Sequence, residues 1–555
     1  MWNGIVEFEK EMNLLLEYEI SSEANLKDLL TQSSKVFDYV DELLMRKYIK
    51  YQLDTTDEKV KEDYIYSQQN IKPVYKKYKE QIEEKIYQNR HYFTSQYYQY
   101  LCQRIENTLL LINDKNREIE IIEDNLITKY FNIRGVMIVN WQGEDIPVDE
   151  LYGFLYDDSR ELREEALKLM CRTYSSKEKE LQLLLDEMIA LRTQKAENAG
   201  LKNYRDYMFK KYERFNYTHK DCENLGESVR KYVLPLINKF HIERKNKLQL
   251  DCLKPWDTRV DCSENNISVP YESVSEMINR AKELLNNISP SFSELLKRMK
   301  ETNCLDLESR IGKAPGGFCE FLPSSKSSFI MLNLVNTKDN LPIFLHEMGH
   351  CIHHDLMSDI ELSEYKQLPM ETAELAAMSM ELFTLENWAS MYKNQEEFKY
   401  VKKELFKQIL EFIPITLVVD QFQQWLYTTP DHTHEDRKLT FQRILEKYES
   451  DIVNWEGVEE WKKLQWLDVI HLFETPFYYI EYAIAQLGSL QLYRNFKKDP
   501  RKTIKQFTEA LSLGSSKSVS EIYRVAGIEF NISEQNIKDL MEFVENEINS
   551  LEVVN

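Results

Sequence analysis

The chain has 555 residues, a length that exceeds one simple core and implies at least two lobes. Its net charge of −22 argues against nucleic acid and anionic membrane as main partners. Only 14 residues are glycine, well below the usual share of about 7%. The 33 tyrosines, 25 phenylalanines and long Lys/Glu-rich amphipathic runs favour helices. No apolar run reaches the length of about 18 residues that a membrane span needs. The N-terminal stretch is acidic and carries no signal h-region. Eight cysteines are scattered without a Cys-x-x-Cys pair, the usage of reduced thiols, so a cytoplasmic location is expected.

Residues 1 to 130 are charged, amphipathic and nearly free of glycine and proline. Apolar residues recur at helical spacing in Asn25-Leu-Lys-Asp-Leu-Leu and Arg104-Ile-Glu-Asn-Thr-Leu-Leu-Leu-Ile-Asn, without a sustained heptad. The stretch from Gly135 to Ile146 reads as strand, Gln-Gly turn, strand. Helices resume at Asp157 and run to about Phe240. The Lys254-Pro-Trp256-Asp257 segment opens a more irregular region. Next come Gly312-Lys-Ala-Pro-Gly316-Gly317-Phe318-Cys319, whose paired glycines permit close backbone approach, and a strand from Phe329 to Val335. An edge strand here can pair with an extended peptide. A surface hairpin is the competing reading.

The helix around Leu341–His354 carries His346-Glu347-Met-Gly-His350. Residues four apart share a helix face, so both imidazoles aim at one point and make half of a tetrahedral zinc site. Glu347 is placed to act as a base on a water there without occupying the metal. Cys351 directly follows the second histidine, and Cys319 lies in the proposed substrate strand; small buried packing residues are the plainer reading of both. Downstream, Pro369 begins a run that is apolar on most sides and reads as a buried helix. Its Glu371, Glu374 and Glu381 share a stripe. Buried carboxylates need a partner, so one of the three can complete a His-His-Glu set while the others orient the imidazoles.

Val418–Trp425 reads as helix. His471 and the tyrosines Tyr478, Tyr479 and Tyr482 crowd into twelve residues before a further helix. These are neutral donors suited to a developing oxyanion; core packing is the alternative. On a helix, Tyr479 and Tyr482 share a face and Tyr478 is rotated away.

Together these features resemble the oligoendopeptidase F branch of the thimet oligopeptidase family of zinc metallopeptidases. The carriers are His346-Glu-Met-Gly-His350, Glu374-x-x-x-Met-Ser-Met-Glu381, Gly-Lys-Ala-Pro-Gly-Gly-Phe-Cys and His471 with Phe-Tyr-Tyr-Ile-Glu-Tyr482. Leu191-Arg192-x-x-Lys-Ala196, Asn203-Tyr-x-Asp-Tyr207 and Lys-Pro-Trp-Asp257 add to them, and the likeness runs from about residue 135 to 540. Ala376-Ala377 depart from it, since relatives often carry polar residues there.

The resemblance implies a mainly α fold: two helical lobes flanking a deep substrate channel, with a small β-sheet beside the zinc helix. The expected division is 1–190, a helical lobe with a hairpin near 135–148, and 191–555, the metallopeptidase domain. It implies one Zn2+ per chain on His346, His350 and Glu374, with Glu347 as base. Tyr482 and His471 become oxyanion donors helped by Tyr479, and Glu371 and Glu381 support the ligands. Gly316, Gly317, Phe318 and Tyr478 would contact substrate. The implied activity is endoproteolysis of short unstructured peptides, with no nucleic-acid or membrane partner and the oligomeric state left open. A zinc carboxypeptidase, or a peptide-binding protein without catalysis, is the alternative; the latter has no use for Glu347.

Overall fold

The computed structural model describes residues 5–260, 269–334 and 339–552. The end of the expected strand at Val335, the first four residues and Cys262 lie outside the described residues. The chain divides into two compact units, each assembled from three stretches. The first comprises Met1–Leu110, Ser268–Phe398 and Ala485–Phe530; the second comprises Leu111–Ile267, Lys399–Ile484 and Asn531–Asn555. Residues 190 and 191, where the sequence suggests one lobe giving way to the next, sit mid-helix in Arg160–Asn198, inside the second unit. Segment-by-segment reading yields a contiguous division, whereas compactness depends on packing between distant segments. Among the described residues no helix is long and apolar enough to cross a membrane.

In the first unit, Glu23–Leu53 is capped by Ser22, whose side chain accepts from Asn25 N–H. Its Leu26, Leu29, Leu30 and Phe37 recur at helical spacing and bury against Tyr75, Ile82, Ile86, Leu101 and Ile105. A three-stranded sheet follows in the order Leu305–Glu308, Ser327–Leu334, Phe318–Leu322. The first pair is parallel and the second antiparallel, which leaves Phe318–Leu322 at an edge. Two helices, Asn340–Met357 and Met370–Leu385, then pack on one another and carry the candidate metal ligands. Pro369, in extended backbone, stands at the N-cap of the second.

The second unit contains the hairpin Ile138–Trp141 and Glu144–Pro147, turned by Gln142 and Gly143, both at positive φ. It also contains Arg160–Asn198, Tyr204–Lys211, His219–Tyr232 and Leu234–Lys247. The short helix Ile470–Phe473 leads through a turn into Ile480–Lys498, which begins in this unit.

Candidate metal centre

The helix Asn340–Met357 buries Leu341, Phe344, Leu345, Met348 and Ile352, which leaves the face of His346, Glu347 and His350 half-buried. The two imidazole rings lie 5.1 Å apart and nearly perpendicular. Glu374 reaches them from the neighbouring helix: its Oε2 is 3.4 Å from Nε2 of His346. One ligand atom from each of His346, His350 and Glu374 falls within 4.8 Å of the other two. Two imidazole nitrogens and one carboxylate oxygen at that mutual spacing suit a divalent transition metal.

Each imidazole has a further hydrogen-bond partner. Nδ1 of His346 is 2.7 Å from Oε1 of Glu381, which directs Nε2 toward Glu374. His350 bonds the backbone carbonyl of Ala373. Glu381, one of the two expected helpers, thus contacts the imidazole of a candidate ligand. Glu371 is buried, and its backbone carbonyl accepts from the hydroxyl of Tyr523 at 3.2 Å.

Helix-to-helix distance is set at Gly349, between the two histidines. A Cβ there would stand 2.5 Å from Cα of Ala377 and 2.7 Å from the carbonyl oxygen of Ala376. The small pair Ala376-Ala377 therefore meets the glycine backbone to backbone, and its departure from polar residues is a packing feature.

Burial pushes His350 down to about 4, so its imidazole is neutral at physiological pH. Burial also opposes charge on His346, but its hydrogen bonds to the Glu374 and Glu381 carboxylates outweigh it and hold that histidine well above its ordinary value. Glu347 is pushed up to about 7 by burial, with Glu374 and Glu381 adding repulsion and His346 offsetting part of it. A half-buried carboxyl that titrates near neutrality is matched to proton transfer.

The sheet lies against the same helix. Sγ of Cys319 is 3.3 Å from Sγ of Cys351, and the Phe321 ring stacks on His354 at 4.9 Å. Cys319 and Phe321 thus face the metal helix, while Phe318 turns to the other side, 5.4 Å from the Tyr48 ring. Gly317 allows close passage of the neighbouring strand: a Cβ there would stand 2.4 Å from Cδ2 of Leu332. Gly316, at φ +88, gives its carbonyl to the Asn333 amide.

In the second unit His471, Tyr478, Tyr479 and Tyr482 form one ring cluster. Tyr482 lies 5.0 Å from Tyr478, 5.6 Å from Tyr479 and 6.0 Å from His471. The expectation that Tyr478 is rotated away from Tyr482 is corrected: it is nearer than Tyr479. Residues four apart share a helix face as those three apart do, so the spacing of Tyr478 and Tyr482 itself favours the contact, although Phe477 has φ +69 and the helix starts only at Ile480. Phe412 adds a ring 5.8 Å from Tyr482.

A model of Peptidase family M3 matches residues 154–542. The chain belongs to peptidase family M3. This M3 chain is 20% identical to oligopeptidase PepF of Bacillus subtilis over 72% of its own length and 58% of PepF. It is 22% identical to an oligoendopeptidase F homolog of Mycoplasma genitalium, over 51% of its length and 48% of that protein. The match thus spans about half to three fifths of these curated relatives. Among solved structures it resembles PZ peptidase A with an inhibitor, at TM-score 0.89 and 22% identity, covering 99% and 98% of the two chains. Oligoendopeptidase-F from Enterococcus faecium matches at TM-score 0.66 and 16% identity, covering 99% and 97%. These likenesses establish the mainly α fold of the M3 peptidases for this chain.

Proposed function

We propose that this M3 chain is a zinc-dependent oligoendopeptidase that hydrolyses internal bonds of short unstructured peptides. The observation that carries the reading is the convergence of His346, His350 and Glu374, with Glu347 adjacent to the first ligand. One zinc per chain is held by these three residues, and Glu381 orients His346 from behind. The ion supplies Lewis acidity: it makes water acidic near neutral pH and polarises a peptide carbonyl.

Glu347 takes the proton of the attacking water and returns it to the departing amine. Its elevated proton affinity suits both halves of that transfer. Tyr482 and His471 donate hydrogen bonds to the developing oxyanion, with Tyr479 assisting and Tyr478 contacting substrate. That assignment is supported by the family resemblance and by the clustering of the four rings. The peptide pairs in extended form along Phe318–Leu322, next to Gly316 and Gly317, by main-chain hydrogen bonds. Glu371 supports the ligand helix. The cysteine usage accords with a cytoplasmic location.

The test is a fluorogenic decapeptide blocked at both ends. We expect internal cleavage that is lost on chelation and restored by about one equivalent of zinc per chain. Full cleavage by rigorously metal-free protein would end the metal reading. Release of only C-terminal residues from unblocked peptides would make it a carboxypeptidase, and binding without cleavage would make it a carrier.

A further inference from the structure

The segment from His471 to Tyr482 is held by two buried arginines. Arg192 is fully buried; its Nη1 donates to the carbonyl of Leu472 at 3.0 Å and its Nη2 to the carbonyl of Phe473. Those carbonyls end the four-residue helix Ile470–Phe473, where the last carbonyls have no intrahelical partner. The Arg192 charge is balanced by Glu123, whose Oε1 accepts from Nε at 2.6 Å, while Lys195 holds the other oxygen at 2.8 Å.

Arg214 grips the far side of the turn. Its Nη2 donates to the carbonyl of Phe477 and, at 2.8 Å, to Oε1 of Glu481. Phe477 is fully buried at φ +69, a conformation that costs a non-glycine residue on the order of 1 kcal/mol or more. Both ends of that residue are pinned: its N–H donates to Oε1 of Gln423 at 2.5 Å and its carbonyl goes to Arg214. The captured atoms directly follow His471, directly precede Tyr478 and directly precede Tyr482.

We propose that Arg192 and Arg214 are positioning residues that fix the backbone flanking His471, Tyr478 and Tyr482 and so set the aim of these rings. The inference rests on the donor role proposed above. Arginine suits the task because its rigid planar fork holds two acceptors at a fixed spacing and direction, whereas a lysine ammonium is a point charge on a flexible stem. The strained Phe477 makes the need plain, since without the clamp the turn relaxes toward a conformation with different ring directions.

A double-mutant cycle tests it, with Arg192→Lys, Arg214→Lys and Gln423→Met each made alone and combined with Tyr482→Phe in the metal-loaded enzyme. Each single clamp change is expected to lower kcat by about tenfold to a hundredfold with KM and zinc content unchanged. In the Tyr482→Phe background the Arg214 and Gln423 changes should cost less than about threefold, because the donor they aim is already gone, whereas Arg192→Lys, beside His471, keeps part of its loss. Equal losses in both backgrounds overturn the proposal, as does a lower melting temperature with full turnover. Gln423→Met acts through the Phe477 N–H and carries the cycle if an arginine variant does not fold. Wild-type turnover in Tyr482→Phe defeats the donor reading itself, and this inference with it. A slow Tyr482→Phe beside three unaffected clamp variants defeats this inference alone.

Discussion

Gly349 and Ala377 meet with no space for a side chain between them: a Cβ on Gly349 would lie 2.5 Å from the Ala377 Cα. The contact is backbone on backbone, so no rotamer change relieves it. Gly349→Ala must push apart the helices carrying His350 and Glu374. We expect a loss of about 1–3 kcal/mol, the usual range for overpacking, together with weaker zinc retention. Thermal melts with and without zinc check both parts. A variant with wild-type melting and full metal content would mean that the two helices slide freely.

The acidic residues around the histidines separate by role. Glu347→Gln should keep the metal and lose most turnover, because an amide accepts no proton. Glu374→Gln should shed zinc. Glu381→Gln should retain zinc but bind it about 10- to 100-fold more weakly, the cost of losing a carboxylate behind a ligand imidazole. Metal analysis across a chelator series measures all three. Zinc loss in Glu371→Gln with retention in Glu374→Gln would reassign the carboxylate ligand.

How far this centre was legible follows from the range of each interaction. The pairing of His346 and His350 is local, fixed by one helical turn, so spacing alone finds it. Glu381 on Nδ1 of His346 spans 35 residues, and a stripe of three glutamates offers no rule for which one takes that place. The approach of Cys319 to Cys351 depends on strand register, which the sequence does not specify. The Tyr478 expectation failed on the spacing itself: Tyr478 and Tyr482 are four apart, and residues four apart share a helix face just as residues three apart do. The two discontinuous units were illegible for a different reason: no change of composition marks where the chain leaves one and enters the other.

Two buried carboxyls make opposite predictions about pH. Burial alone would raise Glu123, but Arg192 and Lys195 overcome it and hold it at about 2. Its folded value is depressed, so its contribution is present above the ordinary carboxylate range and is lost as pH falls toward 2. A shift of that size is worth about 3 kcal/mol. Burial raises Glu83 to about 7, with repulsion from Glu364 and Glu80 adding to it and Lys79 offsetting part. Its contribution is complete below the unfolded value and is lost as pH rises from there through about 7. Denaturant melts from pH 3 to 8 should show Glu123→Gln flattening the acid limb and Glu83→Gln flattening the neutral one. Parallel curves for wild type and either variant would remove that group from the account.

The thiols of Cys319 and Cys351 touch at 3.3 Å, a non-bonded contact rather than the roughly 2.05 Å of a disulfide. Burial and the neighbouring sulfur hold Cys319 well above the ordinary thiol range. Alkylation at neutral pH should therefore reach Cys319 slowly despite its partial exposure, and the buried Cys351 more slowly still. A mass-spectrometric time course with iodoacetamide reads the order. Once modified, the pair crowds the strand against the metal helix, and turnover should fall in step. Early modification with unchanged kinetics would leave these residues only a packing role.

Tyr482→Phe isolates one hydroxyl from a ring that packs against four others. Tyr478, Tyr479, His471 and Phe412 all lie within 6.0 Å of its centroid, and the substitution leaves that packing in place. Stability should therefore change little. If the hydroxyl stabilises the oxyanion, it acts in the transition state and not on bound substrate, so turnover falls while KM and zinc content hold. The expected loss is about 10²-fold in kcat, or about 2.7 kcal/mol, the scale of one oxyanion donor. Steady-state kinetics at saturating peptide, paired with metal analysis, measure it. A raised KM with normal kcat would make Tyr482 a substrate-binding residue. Unaltered kinetics would return the whole ring cluster to the hydrophobic core of its unit.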